Sequence, residues 1–153
     1  MRTQLQQLLY TLAQRVYQQL GPSHNESVYQ SALHYELIAQ GFMVEREKHM
    51  DVSYIDSRGN VFNLTSDRID IYIHQDSNSV FEELHNQPIL LELKAVSKQM
   101  NDVEINQVHK YMRELQSKNI GMNYGILINF PQPTRQNLEN GIDFLIVPNP
   151  YLG

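Results

Sequence analysis

The chemistry-bearing residues of this chain begin with Leu91-Glu92-Leu93-Lys94. Side chains alternate along a strand, so Glu92 and Lys94 share one face while Leu91, Leu93 and Ala95 share the other. The apolar neighbours mark a central strand, where a carboxylate and an ammonium each need a partner. Pairing with one another, or with neighbours, is the plain structural answer. Asp70 adds a second possibility. It stands in Arg68-Ile-Asp-Ile-Tyr-Ile-His74, where Ile69, Ile71 and Ile73 alternate with Arg68, Asp70, Tyr72 and His74. If the two strands are neighbours, Asp70 and Glu92 meet, and adjacent carboxylates repel unless a proton or a cation lies between them. A hard divalent ion such as Mg²⁺ takes one or two carboxylates plus waters and phosphate oxygens. The Leu93 backbone carbonyl would add an oxygen, and Lys94 would orient or polarise an attacking water. The structural alternative for Asp70 is a salt bridge to Arg68 on the same face.

Glu26 has two readings. Ser23-His-Asn-Glu26 fits a capping box, in which the glutamate bonds back to the start of its helix. The rival is a third metal-site carboxylate, and the local sequence leaves both open. Gln107 and Tyr111 stand at i, i+4, on a different side of their helix from the Ile105 stripe. Alone they are a solvated or half-buried pair; beside a metal site they would hold a phosphate or a water. His24, His49, His74, His85 and His109 share no ligand spacing. His74 and His109, the two nearest these residues, read as solvated surface.

The elements that must position these groups follow from hydrophobic periodicity. Residues 2–20 predict an amphipathic helix, with Leu5, Leu8, Leu9, Leu12, Val16 and Leu20 at helical spacing, ended by Gly21-Pro22. Ser23 predicts the start of a second helix running to about Gln40, stopped by Gly41. Extended segments are predicted at Phe42–Glu47, Asp51–Ile55 and Val61–Leu64, the last two joined by the turn Asp56–Asn60, and again at Arg68–His74. Gln75–Gln87 reads as a loop or excursion. Ile89–Ala95 is a buried strand, Val103–Lys118 a helix with Ile105, Val108, Met112 and Leu115 inward, and Tyr124–Phe130 and Ile142–Val147 two more strands. The order predicts an α/β or α+β domain, a mixed central β-sheet flanked by helices.

Composition narrows the function. The 153 residues, 41% hydrophobic and 19% charged, suit a single globular domain with a real core. No cysteine is present, which excludes disulfide scaffolds, thiol nucleophiles and cysteine-bound metal. Apolar runs fall far short of the ~18 residues of a membrane span. The amino end has no secretory segment, so an intracellular location, cytoplasmic or nuclear, or a virion-internal one is expected. Twelve basic against 17 acidic residues, net −5, argue against a broad basic nucleic-acid face. A carboxylate site that meets phosphate through a metal ion remains compatible with that charge.

Gly21-Pro-Ser-His-Asn-Glu26-Ser-Val-Tyr29, with Ala32-Leu33 and Glu36-Leu37, resembles the signature of the GxxExxY proteins, which are similar to the PD-(D/E)XK nuclease superfamily. The resemblance continues through Arg68-Ile-Asp70, Glu92-Leu-Lys94-Ala95, Gln107-Val-His-Lys-Tyr111 and Gly125-Ile-Leu-Ile-Asn-Phe130, over roughly residues 8 to 131. It implies a restriction-endonuclease-like core with the site at the sheet centre. Asp70, Glu92 and the Leu93 carbonyl would hold Mg²⁺ or Mn²⁺, completed by Glu26 from the early helix. Lys94 would be the catalytic lysine and Gln107 a phosphate-positioning residue, with Tyr111 and Arg68 accessory. Ile69 replaces the proline of the superfamily's name, Gln75–Gln87 looks inserted, and residues 131–153 form a C-terminal extension of the same domain. The expected function is metal-dependent hydrolysis of phosphodiester bonds, most simply in DNA, with substrate grip aided by a homo-oligomer or a protein partner. The competing functions are a binding module for nucleic acid or protein that keeps the fold without turnover, and a structural or assembly subunit.

Overall fold

A computed structural model describes residues 1–64, 67–97, 100–133 and 141–152. The chain order is α1 (Gln4–Leu20), α2 (Glu26–Ala39), β1 (Val44–His49), β2 (Val52–Ile55), β3 (Val61–Leu64), β4 (Arg68–Ile73), β5 (Ile89–Lys94), α3 (Asp102–Ser117), β6 (Tyr124–Asn129) and β7 (Asp143–Pro148). Five strands form one mixed sheet in the order β1-β4-β5-β6-β7, with only the β5–β6 pair parallel. β2 and β3 make a separate two-stranded hairpin whose turn is closed by the Asp56 carboxylate, which accepts from the Arg58 and Asn60 N–H groups. The predicted 75–87 excursion is a loop carrying one 3₁₀ turn at Glu82–Leu84.

The sheet is covered on both faces, which is why β5 reads as a nearly unbroken apolar run. On one face α1 and α2 bury Leu5, Leu9, Tyr29, Leu33 and Leu37 against Ile71, Ile73, Leu91, Leu93, Ile126 and Ile128. On the other, α3 buries Val108, Tyr111, Met112 and Leu115 against Tyr72, Leu90 and Leu127. α3 crosses β6 closely at Gly125, where an added Cβ would come within 3.1 Å of both Leu90 and Val108, so a side chain there would force the layers apart.

Two expectations are corrected here. The alternation of residues 68–74 breaks at Asp70: Ile71 and Ile73 face α1 and α2, whereas Ile69 packs with the α3 cluster. The neighbouring strand turns at the same level, where Glu47 adopts φ +50° between the pairs Arg46–Ile71 and Lys48–Ile69. Tyr72, assigned to a polar face, is 4% exposed because α3 covers it. The capping box of Ser23 and Glu26 also does not form. Ser23 has φ +76°, Asn25 is the residue preceding the first helical turn, and Glu26 opens the helix itself.

Candidate active site

β4 runs antiparallel to β5, so the start of β4 and the end of β5 lie at the same end of the sheet. The two strands pair from Ile73–Ile89 to Ile71–Leu91. Beyond that point the Asp70 carboxylate inserts between them, and its Oδ2 accepts from the Leu93 N–H at 2.8 Å. Asp70 thereby stands beside Glu92, and the two carboxyl groups are hydrogen-bonded. The Arg68 bridge to Asp70 is absent; Arg68 instead pairs on the exposed surface with Glu47, 3.4 Å away.

Glu92 is 2% exposed, and its Oε1 has no hydrogen-bond partner. Burial, then the hydrogen bond and charge of Asp70, push its carboxyl from an ordinary 4.5 up to about 10, against the opposing pull of Lys94. In the metal-free protein Glu92 therefore holds its proton far more tightly than an ordinary glutamate. A buried oxygen left without a donor is unfavourable.

Lys94 does not make an ion pair with Glu92 among the described residues. Its ammonium donates to Gln107 Oε1 at 3.1 Å, Gln107 Nε2 donates to the Tyr111 hydroxyl at 3.2 Å, and that hydroxyl donates to the Arg68 carbonyl at 2.9 Å. The i, i+4 spacing on α3 puts the amide and the phenol one turn apart, and the chain of donors gives each group one role. Tyr111 is no solvated residue: it is 1% exposed, and burial together with the Glu92 charge raises its pKa and keeps the phenol neutral.

Glu26 reaches this cluster through a clasp made by its flanking residues. Gly21 turns at φ +73°, a conformation that favours glycine, and its carbonyl accepts from the Tyr29 hydroxyl at 2.7 Å. The Tyr29 ring stacks on Phe130 with centroids 4.5 Å apart. Gln132 ties the loop down further, accepting from the Ser23 N–H at 2.7 Å and donating to the Phe130 carbonyl at 3.0 Å. The first turn of α2 is thus anchored at the end of β6, and Glu26 is half-buried. Its pKa is raised by burial and by Asp70 and lowered by Lys94, and its own charge helps raise the Glu92 carboxyl.

Sequence reasoning missed Gln30, Arg46, Asn129 and His34. Gln30 is 3% exposed; it donates to Asp70 Oδ1 at 3.3 Å and accepts from Arg46 Nε at 3.2 Å and Nη2 at 3.1 Å. The signal was available, because Gln30 lies four residues after Glu26 on one helix face. Asn129, opposite Lys94 in the β5–β6 pair, accepts from the Val96 N–H and donates to the Val96 carbonyl, fixing the chain as it leaves β5. His34 has a buried Nδ1 without a partner, and burial followed by Arg46 lowers its pKa. Among the other histidines, His24 and His85 bond the Leu20 and Ser79 carbonyls, while His74 meets Tyr72 edge-on and is half-buried rather than solvated.

The three acids expected to share one ion are not gathered into a single ligand set. Among the described residues, no group of three or more His, Asp or Glu side chains is arranged to hold a metal ion. Asp70 and Glu92 touch, whereas Glu26 interacts with them only through charge. The donor chemistry nevertheless fits a hard cation: carboxylate oxygens only, two of the groups in contact, and one buried oxygen unsatisfied.

A mixed sheet flanked by helices, with acids and a lysine at the separating ends of two central strands, defines the restriction-endonuclease-like architecture. The chain belongs to the PD-(D/E)XK nuclease superfamily, whose family model matches residues 3–140. Members of that superfamily are usually nucleases and generally use divalent metals. No curated protein matches the chain. Among solved structures, the crystal structure of SSO0001 is similar at 16% identity and a TM-score of 0.43, covering 97% of this chain and 79% of that one. No described helix is long and apolar enough to cross a membrane.

Proposed function

We propose that the protein is a metal-dependent nuclease that hydrolyses phosphodiester bonds of DNA. Asp70, Glu92, Glu26 and the Leu93 carbonyl would hold Mg²⁺ or Mn²⁺, and the ion when bound would offset charge on the phosphorane-like transition state and lower the pKa of a coordinated water. The observation that carries this reading is the Glu92 carboxyl, buried against Asp70 with one oxygen unsatisfied and a lysine alongside that another residue orients. Such an arrangement is costly for a folded protein unless a cation joins it.

The residues of the chain then divide the work. Asp70 and Glu92 supply oxygens from two strands whose positions the sheet fixes. Lys94, aimed by Gln107, presents a positive donor to the attacking water or to a phosphate oxygen. Tyr111 keeps the Gln107 amide in place by its own bond to the Arg68 carbonyl. The clasp of Gly21, Tyr29 and Phe130 around Glu26 gives the GxxExxY signature a physical role and supports assignment to that group. With net charge −5, the site gains substrate grip from the metal and from a homo-oligomer or protein partner.

The test is cleavage of single-stranded, duplex and branched DNA in Mg²⁺, Mn²⁺ and EDTA, beside calorimetric titration of the protein with each ion. Ion binding that is lost when Asp70 or Glu92 is replaced, together with cleavage that EDTA stops, is expected. A protein that binds neither ion and cleaves none of the substrates is not a nuclease of this kind.

A further inference from the structure

We infer that Gln30 is a positioning residue for Asp70, and that Arg46 sets the direction of its amide; the consequence for metal binding rests on the nuclease reading above. Asp70 is held at both oxygens. The Leu93 N–H fixes Oδ2 at 2.8 Å, and the Gln30 amide, reaching across from α2, fixes Oδ1 at 3.3 Å. Left to itself, a glutamine can turn either its oxygen or its nitrogen toward a neighbour. Turned the wrong way, the Gln30 carbonyl would face a carboxylate and repel it. Arg46 removes the ambiguity. A guanidinium donates only and stays charged, and two of its nitrogens grip Gln30 Oε1 at 3.2 and 3.1 Å. With its oxygen committed to Arg46, Gln30 must offer its NH₂ to Asp70.

The intervening amide matters for charge. An arginine bonded directly to Asp70 would hold the carboxylate equally well but would neutralise it and compete with a cation. Acting through a neutral amide, Arg46 orients Asp70 while leaving both the negative charge and the cation-facing side of the group available. The relay also locks three elements together at one point, β1 through Arg46, α2 through Gln30 and β4 through Asp70. Glu26, one turn earlier on α2, is placed by the same helix.

The decisive variants are Gln30→Met, which keeps size and removes the donor, Arg46→Met, and the two combined. Thermal melting reports folding, calorimetry reports Mn²⁺ affinity, and metal-free crystal structures report the Asp70 side chain. The expected result is that Gln30→Met folds, Asp70 leaves its wild-type orientation, and Mn²⁺ binds about 10–100-fold more weakly. Arg46→Met should weaken binding by no more than that, and the double variant should be no worse than Gln30→Met, because Arg46 acts through Gln30. If Gln30→Met fails to fold, Arg46→Met reads the same relay from outside the core. An unmoved Asp70 with wild-type Mn²⁺ affinity overturns the inference, and additive losses overturn the role of Arg46. A wild-type protein that binds no Mn²⁺ removes the nuclease reading instead. The orientation of Asp70 in the metal-free crystals then decides the positioning role, movement sustaining it and its absence overturning it.

Discussion

The two helices that border the site bring similar side chains to opposite outcomes. α2 contributes an acid and an amide four residues apart, Glu26 and Gln30; α3 contributes an amide and a phenol at the same spacing, Gln107 and Tyr111. On the α3 side the hydrogen bonds run from Lys94 to Gln107 to Tyr111 to the Arg68 carbonyl, and the lysine is already aimed. Among the acids, Glu26 at the start of α2 and Glu92 on β5 both have raised pKa values, and one Glu92 oxygen has no partner. The donor chain from Lys94 to Arg68 is fully paired, whereas the group of acids leaves one buried oxygen unpaired. The contrast teaches that preorganisation resides in the paired donor chain and electrostatic tension in the acids of α2, β4 and β5, so each set can be perturbed by its own substitutions.

The largest effect should come from the residues at the meeting of the two sets. Glu92→Ala and Lys94→Ala should each abolish nearly all DNA cleavage while the melting temperature stays near wild type; unfolding of either variant would favour a purely structural pair. Next is the pH response of the metal-free protein. Folded Glu92 keeps its proton up to about pH 10, whereas the unfolded chain releases it near 4.5. The folded state therefore binds more protons across that window, and this contribution to stability, complete below pH 4.5, is lost as pH rises toward 10. Melting curves across pH should show the decline, and Glu92→Gln should flatten it; an unchanged slope in that variant would break the assignment of tension to the acids.

Smaller changes sharpen the division. Gln107→Ala should lower cleavage about 10–100-fold while leaving Mn²⁺ affinity by calorimetry close to wild type. A matching loss of ion affinity would show that the donor chain and the acids are not separable. Smallest is Tyr111→Phe, which removes one buried hydroxyl from the donor chain and should cost about 1 kcal/mol of stability in denaturant titration, with only a few-fold effect on turnover.

Much of the fold was legible because burial imposes a period on the chain. The Leu5, Leu9, Leu12 and Val16 spacing yields α1, and the apolar run of residues 89–93 yields a strand covered on both faces. Every predicted strand appears within a few residues of its expected place, including β7 at the sheet edge. Residues 134–140 and 153 of the predicted 131–153 extension lie outside the described residues. The errors arose where contacts across the fold outweighed local pattern. Tyr72 and His74 looked polar by alternation, yet α3 covers the first and their rings pack together. Ser23 looked like a helix cap, yet the tie from Tyr29 to Gly21 pulls the loop into another path and Asn25 takes that position.

The sequence by itself determined the helices, the strands and the shared face of Glu92 and Lys94, because periodicity and strand alternation are local properties, while the pairing of β4 with β5 brought Asp70 beside them. Only the tertiary structure decided that Glu26 belongs with them, that Arg68 does not pair with Asp70, and that Gln30 and Arg46 stand behind that carboxylate. These relations join residues many positions apart, and the physical agents that create them, packing of α2 on the sheet and the repulsion of buried acids, exist only once the chain has closed around them.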